Sequence, residues 1–206
     1  MISEGSTGTA PALVAIGAAS MELAEVARLL GQLPPDFPAV VVVALHSVST
    51  GQSDAVLRAL AGATPLPCRY AADNEPLIAG HVYVAPIDRH LVVQGDRMRV
   101  VFGPKENGHR PALDPLLRTA AHEWRSRTVG VVLCGLSGQI MDGLSGLWQV
   151  KENGGTVVLP HPAGTDPIAT AATAVFQRVA PDFTPVPEEL PALLLKLASD
   201  PHHVRP

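Results

Sequence analysis

Residues 13–30, LVAIGAASMELAEVARLL, constrain the fold more than any other stretch of the chain. Leu13-Val14-Ala15-Ile16 is an unbroken apolar run, as expected of a strand covered on both faces. Gly17 permits a sharp reversal, and the small residues Ala18, Ala19 and Ser20 form a tight turn. Beyond the turn, Met21, Ala24, Val26, Ala27, Leu29 and Leu30 recur at helical spacing, with Glu22, Glu25 and Arg28 on the other side. A strand, a turn and a helix make half of a βαβ unit, which calls for a parallel sheet. The turn lies at the carboxyl edge of that sheet, where helix N-termini gather unpaired N–H groups and where ligands and nucleophiles sit.

Two more apolar runs extend the pattern. Ala39–Leu45 (AVVVVAL) is a second buried strand and delivers His46 at its carboxyl end, and Val129–Cys134 (VGVVLC) leads into the loop Gly135–Gly143. Helices are expected near 53–60, over 115–125 with Asp114 as cap and Pro115 at the first position, and over 144–152, stopped by Asn153-Gly154-Gly155. A strand follows at 156–159, a helix opens at Asp166-Pro167 and runs to about residue 178, and a last helix spans 188–198. Residues 68–103 read as antiparallel. Val82–Ala85 is closed by Pro86, and the runs at 91–93 and 99–102 flank Gly95-Asp96 as a hairpin, an edge addition to the parallel sheet. Alternating strands and helices make this a single α/β domain.

Composition narrows the function classes. The 206 residues suffice for one sizeable core, and 47% hydrophobic against 17% charged residues mark a globular chain. A net charge of −4, with no Lys/Arg cluster, argues against nucleic acid as a partner. No apolar run approaches the roughly 20 residues of a membrane span, so no membrane insertion is expected. The first ten residues lack the regions of a signal peptide, and Cys68 and Cys134 lack metal-ligand spacing, which reads as a cytoplasmic protein with two free thiols and no metal.

The strands ending at Gly17–Ser20, at His46 and before Asp142 bring a hydroxyl, an imidazole and a carboxylate to one sheet edge. These are the parts of a Ser/His/Asp hydrolase: the hydroxyl attacks, the imidazole takes its proton, and the carboxylate fixes the tautomer. Each residue also has a plainer reading. Ser20 is an ordinary helix N-cap, His46 a structural histidine, Asp142 a turn or cap residue. Arg110 either binds a substrate carboxylate or ties its loop down, and His90 and His109 read as loop anchors. A Rossmann nucleotide site is weak, because the first turn has one glycine instead of three spaced ones.

The words around these residues are more specific. Ala15-Ile16-Gly17-Ala18, a small residue and Ser20 resemble the nucleophile turn of the chemotaxis protein-glutamate methylesterases, the CheB-type catalytic domain. In the same order, Leu33–Ala39 with the strand ending in His46, Gly80–Leu91, Asn107–Asp114, Val129–Leu136 and Asp142–Leu147 resemble that family over about residues 12–180. The resemblance implies a doubly wound, mainly parallel sheet with helices on both faces and an antiparallel hairpin. It implies hydrolysis of glutamate methyl esters on the cytoplasmic helices of methylated chemoreceptors, in chemotaxis adaptation, with glutamine deamidation as a side activity and no metal or organic cofactor. Ser20, His46 and Asp142 are then the catalytic positions, and Arg110 a substrate-binding one. Residues 1–11 are expected as a disordered tail, 12–199 as the catalytic domain and 200–206 as a frayed end. The family's usual receiver domain is not expected here, so its control is absent or comes from a separate receiver or signalling protein.

The turn departs from the family. Aligned without gaps, Ala19 takes the nucleophile position, Ser20 the following threonine position, and Met21 and Glu22 replace two glycines. The loop before Asp142 is also longer than the family's. Two outcomes stay open: an ester hydrolase weakened at Ala19, using Ser20 after a one-residue slip, or a catalytically inactive relative that binds through the same cleft.

Overall fold

The computed structural model describes residues 12–133, 142–161, 164 and 179–200. In chain order its main elements are β1 (Leu13–Ala19), α1 (Leu23–Gly31), β2 (Val40–His46), α2 (Ser53–Ala63), β3 (Cys68–Tyr70), β4 (Val82–Val84), β5 (His90–Gln94) and β6 (Arg97–Val101). There follow α3 (Leu113–Trp124), β7 (Thr128–Leu133), α4 (Leu144–Glu152), β8 (Thr156–Val158) and α5 (Leu190–Ser199). The helix expected over 166–178, the loop 135–141, Cys134 and both chain ends lie outside the described residues.

Six strands pair in the order β3-β4-β2-β1-β7-β8, and every pair is parallel. The chain builds outward from β1 through β2, then crosses back to add β7 and β8 on the other side. β1 therefore stands at the reversal of strand order, the place where doubly wound sheets hold their sites.

Side chains alternate along each strand, so each strand feeds two cores. Val14, Ile16 and Ala18 of β1, with Val41, Val43 and Leu45 of β2, pack under Val26 and Leu30 of α1, Leu60 of α2 and Leu194 of α5. Leu13, Ala15, Val40, Val42 and Ala44 face the other way, against Leu113, Leu116 and Leu117 of α3 and Leu147 of α4. Fully burying one such Leu contributes about 1.5–3 kcal/mol. With both faces covered, the strands must be apolar throughout, which is why the three runs stood out in the sequence. Among the described residues, no helix is long and apolar enough to cross a membrane.

Several expectations are corrected. Residues 68–85 are not antiparallel: β3 and β4 are parallel strands of the main sheet. Among the described strands, β5 and β6 are the antiparallel pair, and they form a separate two-stranded sheet instead of an edge addition. That hairpin is anchored on α3, where Thr119 Oγ1 accepts the Val93 N–H at 3.0 Å and Trp124 Nε1 donates to the Gly95 carbonyl at 2.9 Å. Gly17 makes no reversal, because β1 continues to Ala19. Its role is close packing: a Cβ there would lie 2.7 Å from Leu113 Cδ1. Met21 is 69% exposed and Glu22 is buried, the reverse of their expected sides, because a 3-10 turn over Ser20–Glu22 shifts the phase before α1 begins.

Candidate active site

β1 and β2 are paired in register to their last residues, and Ala19 stands opposite His46. Ser20 follows as the first residue of the 3-10 turn. The Glu22 carboxylate folds back on this turn, and its Oε2 accepts the Ala19 N–H at 2.8 Å. This is half of a capping box built on a residue with no side-chain oxygen of its own.

His46 ends β2 and is half-buried. Ser47 comes next with φ of 62°, in the left-handed region that non-glycine residues avoid. That backbone angle breaks the strand's alternation and brings two neighbouring side chains together: Ser47 Oγ is 2.9 Å from His46 Nδ1. The same oxygen is 3.4 Å from Nδ1 of His109, whose ring lies 4.2 Å, centroid to centroid, from that of His46. Burial lowers the pKa of His46, the adjacent His109 lowers it further, and the Asp142 charge opposes both. The imidazole is therefore neutral and able to take a proton at neutral pH.

Asp142 is 3% exposed, and its oxygens are engaged. Oδ2 accepts the Leu113 N–H at 2.7 Å, while Oδ1 accepts the Asp114 N–H at 3.2 Å and Asn107 Nδ2 at 3.1 Å. It thus caps the start of α3, where two N–H groups have no partner within the helix. Asp114 was expected to cap its own helix. Instead its Oδ1 accepts the Gly146 N–H in the first turn of α4 at 2.6 Å, and Oδ2 accepts Asn107 Nδ2 at 2.8 Å. Burial raises the Asp114 pKa, and the nearby Asp142 and Glu106 charges add to this against the bonds from Gly146 and Asn107.

Arg110 Nε and Nη2 hold Asp88 Oδ1 at 2.9 and 2.8 Å, and Nη1 donates to the Gly103 carbonyl at 2.7 Å. The guanidinium also covers the Phe102 ring at 3.8 Å. These contacts tie the 110 loop to Asp88 and Gly103. His90 is likewise an anchor, its Nε2 2.8 Å from the Pro104 carbonyl. Cys68 is half-buried, and burial pushes its thiol up to about 11, so it is a poor nucleophile.

Of the expected catalytic positions, the structure brings the charge of Asp142 within influence of His46 and puts Ser20 one residue beyond His46's strand partner. Among the described residues, neither Ser20 nor Asp142 is hydrogen-bonded to His46, whose Nδ1 pairs with Ser47. Sequence reasoning missed Ser47, Asn107 and the inward turn of Glu22. The dipeptide His46-Ser47 at a strand end was a visible signal, but strand alternation argued against contact between the two side chains.

Strand order and rim residues together define a doubly wound α/β domain whose polar groups gather at the carboxyl edge of its central strands. The chain belongs to the CheB methylesterase family, whose model matches residues 14–194. It is similar to the crystal structure of the Thermotoga maritima CheB methylesterase catalytic domain, with a TM-score of 0.80 and 28% identity, over 92% of this chain and 100% of that one. A protein-glutamate methylesterase/protein-glutamine glutaminase of Myxococcus xanthus is 37% identical over 151 residues, 73% of this chain and 42% of that protein. A putative protein of the same description from Leptospira interrogans is 29% identical over 187 residues, 89% of this chain and 93% of the relative. The chain spans about half the length of several curated relatives that it matches.

Proposed function

We propose that this domain hydrolyses glutamate methyl esters on chemoreceptor helices, releasing methanol, at a rate held down by Ala19. In this reading Ser20, His46 and Asp142 are the site, with His46 as base and Asp142 as the charge that favours its protonated form. The register that sets Ala19 against His46 carries the reading. Ala19, which the gap-free alignment reads as the family's nucleophile position, is the strand partner of His46. Loss of a triad member typically costs on the order of 10⁴–10⁶ in turnover.

A second reading, a binding module without turnover, is favoured by Glu22. Its carboxylate occupies the Ala19 N–H and brings negative charge to a turn where an oxyanion needs donors. Incubation of the purified domain with a methylated receptor fragment, followed by methanol release, separates the two. Slow release above the no-protein control, lost in His46→Ala, supports the hydrolase. Receptor binding with no release supports the binding module.

A further inference from the structure

We propose that Ser47, in place of Ser20, supplies the hydroxyl that Ala19 lacks, as a nucleophile for ester hydrolysis; this rests on the hydrolase reading above. Ser47 is exposed at the carboxyl edge of β2, open to a substrate on that rim. Its Oγ is the described hydroxyl that the rim imidazoles hold, 2.9 Å from His46 Nδ1 and 3.4 Å from His109 Nδ1. The first distance is within the reach that a nucleophile needs from its base. A hydroxyl has one proton to donate and accepts through its lone pairs. In the tautomers this step requires, the Ser47 O–H donates to His46 Nδ1 and His109 Nδ1–H donates to Oγ. The positive φ of Ser47 is what creates this pairing, since an extended residue would turn its side chain to the opposite face.

The chemistry closes. Ser47 Oγ bonds to the ester carbonyl carbon as its proton passes to His46 Nδ1. The tetrahedral intermediate breaks its bond to the methoxy oxygen, which takes that proton from His46 and leaves as methanol. Water then attacks the acyl carbon, giving up a proton through the same nitrogen. The acyl–Oγ bond breaks, Oγ takes that proton to restore the Ser47 hydroxyl, and the glutamic acid product leaves and ionises into solvent. The Asp142 charge favours the transient imidazolium.

The test is labelling with a fluorophosphonate probe, with the modified peptide located by mass spectrometry and methanol release measured in parallel. The variants are Ser20→Ala, Ser47→Ala and Ser47→Gly, the last because glycine accepts the left-handed backbone of that position. The inference expects the label on Ser47. At least tenfold less labelling and methanol release is expected in both Ser47 variants and in His46→Gln, and in Ser20→Ala the label that remains is expected on the Ser47 peptide. Label on Ser20, lost in Ser20→Ala, overturns the inference and keeps the hydrolase. Methanol release with neither serine labelled, undiminished in Ser47→Gly, does the same. Neither label nor methanol from the wild-type domain overturns both.

Discussion

Asp142 and Asp114 cap each other's helices. Asp142, just before α4, accepts the Leu113 and Asp114 N–H groups of α3, and Asp114, inside α3, accepts the Gly146 N–H of α4. Asn107 Nδ2 bridges the two carboxylates. The residue that the family resemblance makes catalytic is therefore also the joint between two helices, so its loss has a folding cost apart from any loss of chemistry.

Asp142→Ala leaves two buried helical N–H groups without their acceptor. Loss of a cap costs about 1–2 kcal/mol, which lowers Tm by roughly 2–8 °C in a domain of this size. Thermal unfolding by circular dichroism checks this, and an unchanged Tm would remove Asp142 from its capping role.

Asp114→Asn behaves differently. An amide oxygen still accepts the Gly146 N–H, the bond from Asn107 Nδ2 is given up while Asn107 keeps Asp142, and the variant removes a charge whose folded-state pKa lies above 3.8 because of burial. A raised folded pKa means stability that is present below the unfolded value and lost as pH rises through the folded one. Asp114→Asn is thus expected to equal or exceed the wild type in stability at pH 7, with that advantage gone below pH 3.8. Urea unfolding at both pH values measures it, and a clear loss of stability at pH 7 contradicts it.

His46 sets the acid limit of the rim. Its pKa is depressed below 6.5 by burial first and by His109 second, with Asp142 opposing. A histidine depressed in the folded state binds fewer protons than in the unfolded one, so stability falls as pH drops below 6.5. Imidazole NMR titration should give a His46 midpoint below 6.5, raised in His109→Asn and lowered further in Asp142→Asn. A shift in the opposite direction in either variant contradicts the arrangement.

If Ala19 and Glu22 hold activity down, as proposed, substitutions in the turn should raise it. Ala19→Ser alone puts a hydroxyl beside His46 but leaves the Glu22 carboxylate on the turn's N–H. Ala19→Ser with Glu22→Gly restores the hydroxyl and frees the donor. The double variant is expected to release methanol from a methylated receptor fragment at least ~100-fold faster than the wild type, below the ~10⁴ that one triad member can be worth. An increase under threefold would mean that other parts of the rim limit the rate.

The sheet was legible in the sequence because covered parallel strands cannot hide: β1, β2 and β7 are uninterrupted apolar runs. β3 was not legible, since Cys68–Tyr70 is short and only half-buried. The inward turn of Glu22 was missed because a 3-10 turn has three residues per turn, and helical spacing assigned it to the solvent side. The Ser47 contact was hidden for a similar reason. It depends on one positive φ, which serine's identity does not announce.

Close packing of α3 on α4 gives a final prediction. A Cβ built on Gly146 would lie 2.5 Å from Leu117 Cβ and 3.2 Å from Asp114 Cα. Neither atom is the tip of a flexible side chain, so Gly146→Ala must push the helices apart and stretch the Gly146 N–H bond to Asp114. Overpacking of this kind costs about 1–3 kcal/mol, more than the helix propensity that alanine gains. Gly62 in α2 is the control: a Cβ there meets nothing within 4 Å. Gly62→Ala should stabilise by about 0.4–1 kcal/mol, mainly by restricting the unfolded chain. The two alanine substitutions, compared by chemical unfolding, should therefore move the midpoint in opposite directions. If Gly146→Ala is neutral or stabilising, α3 and α4 are not in the close contact that lets each cap the other.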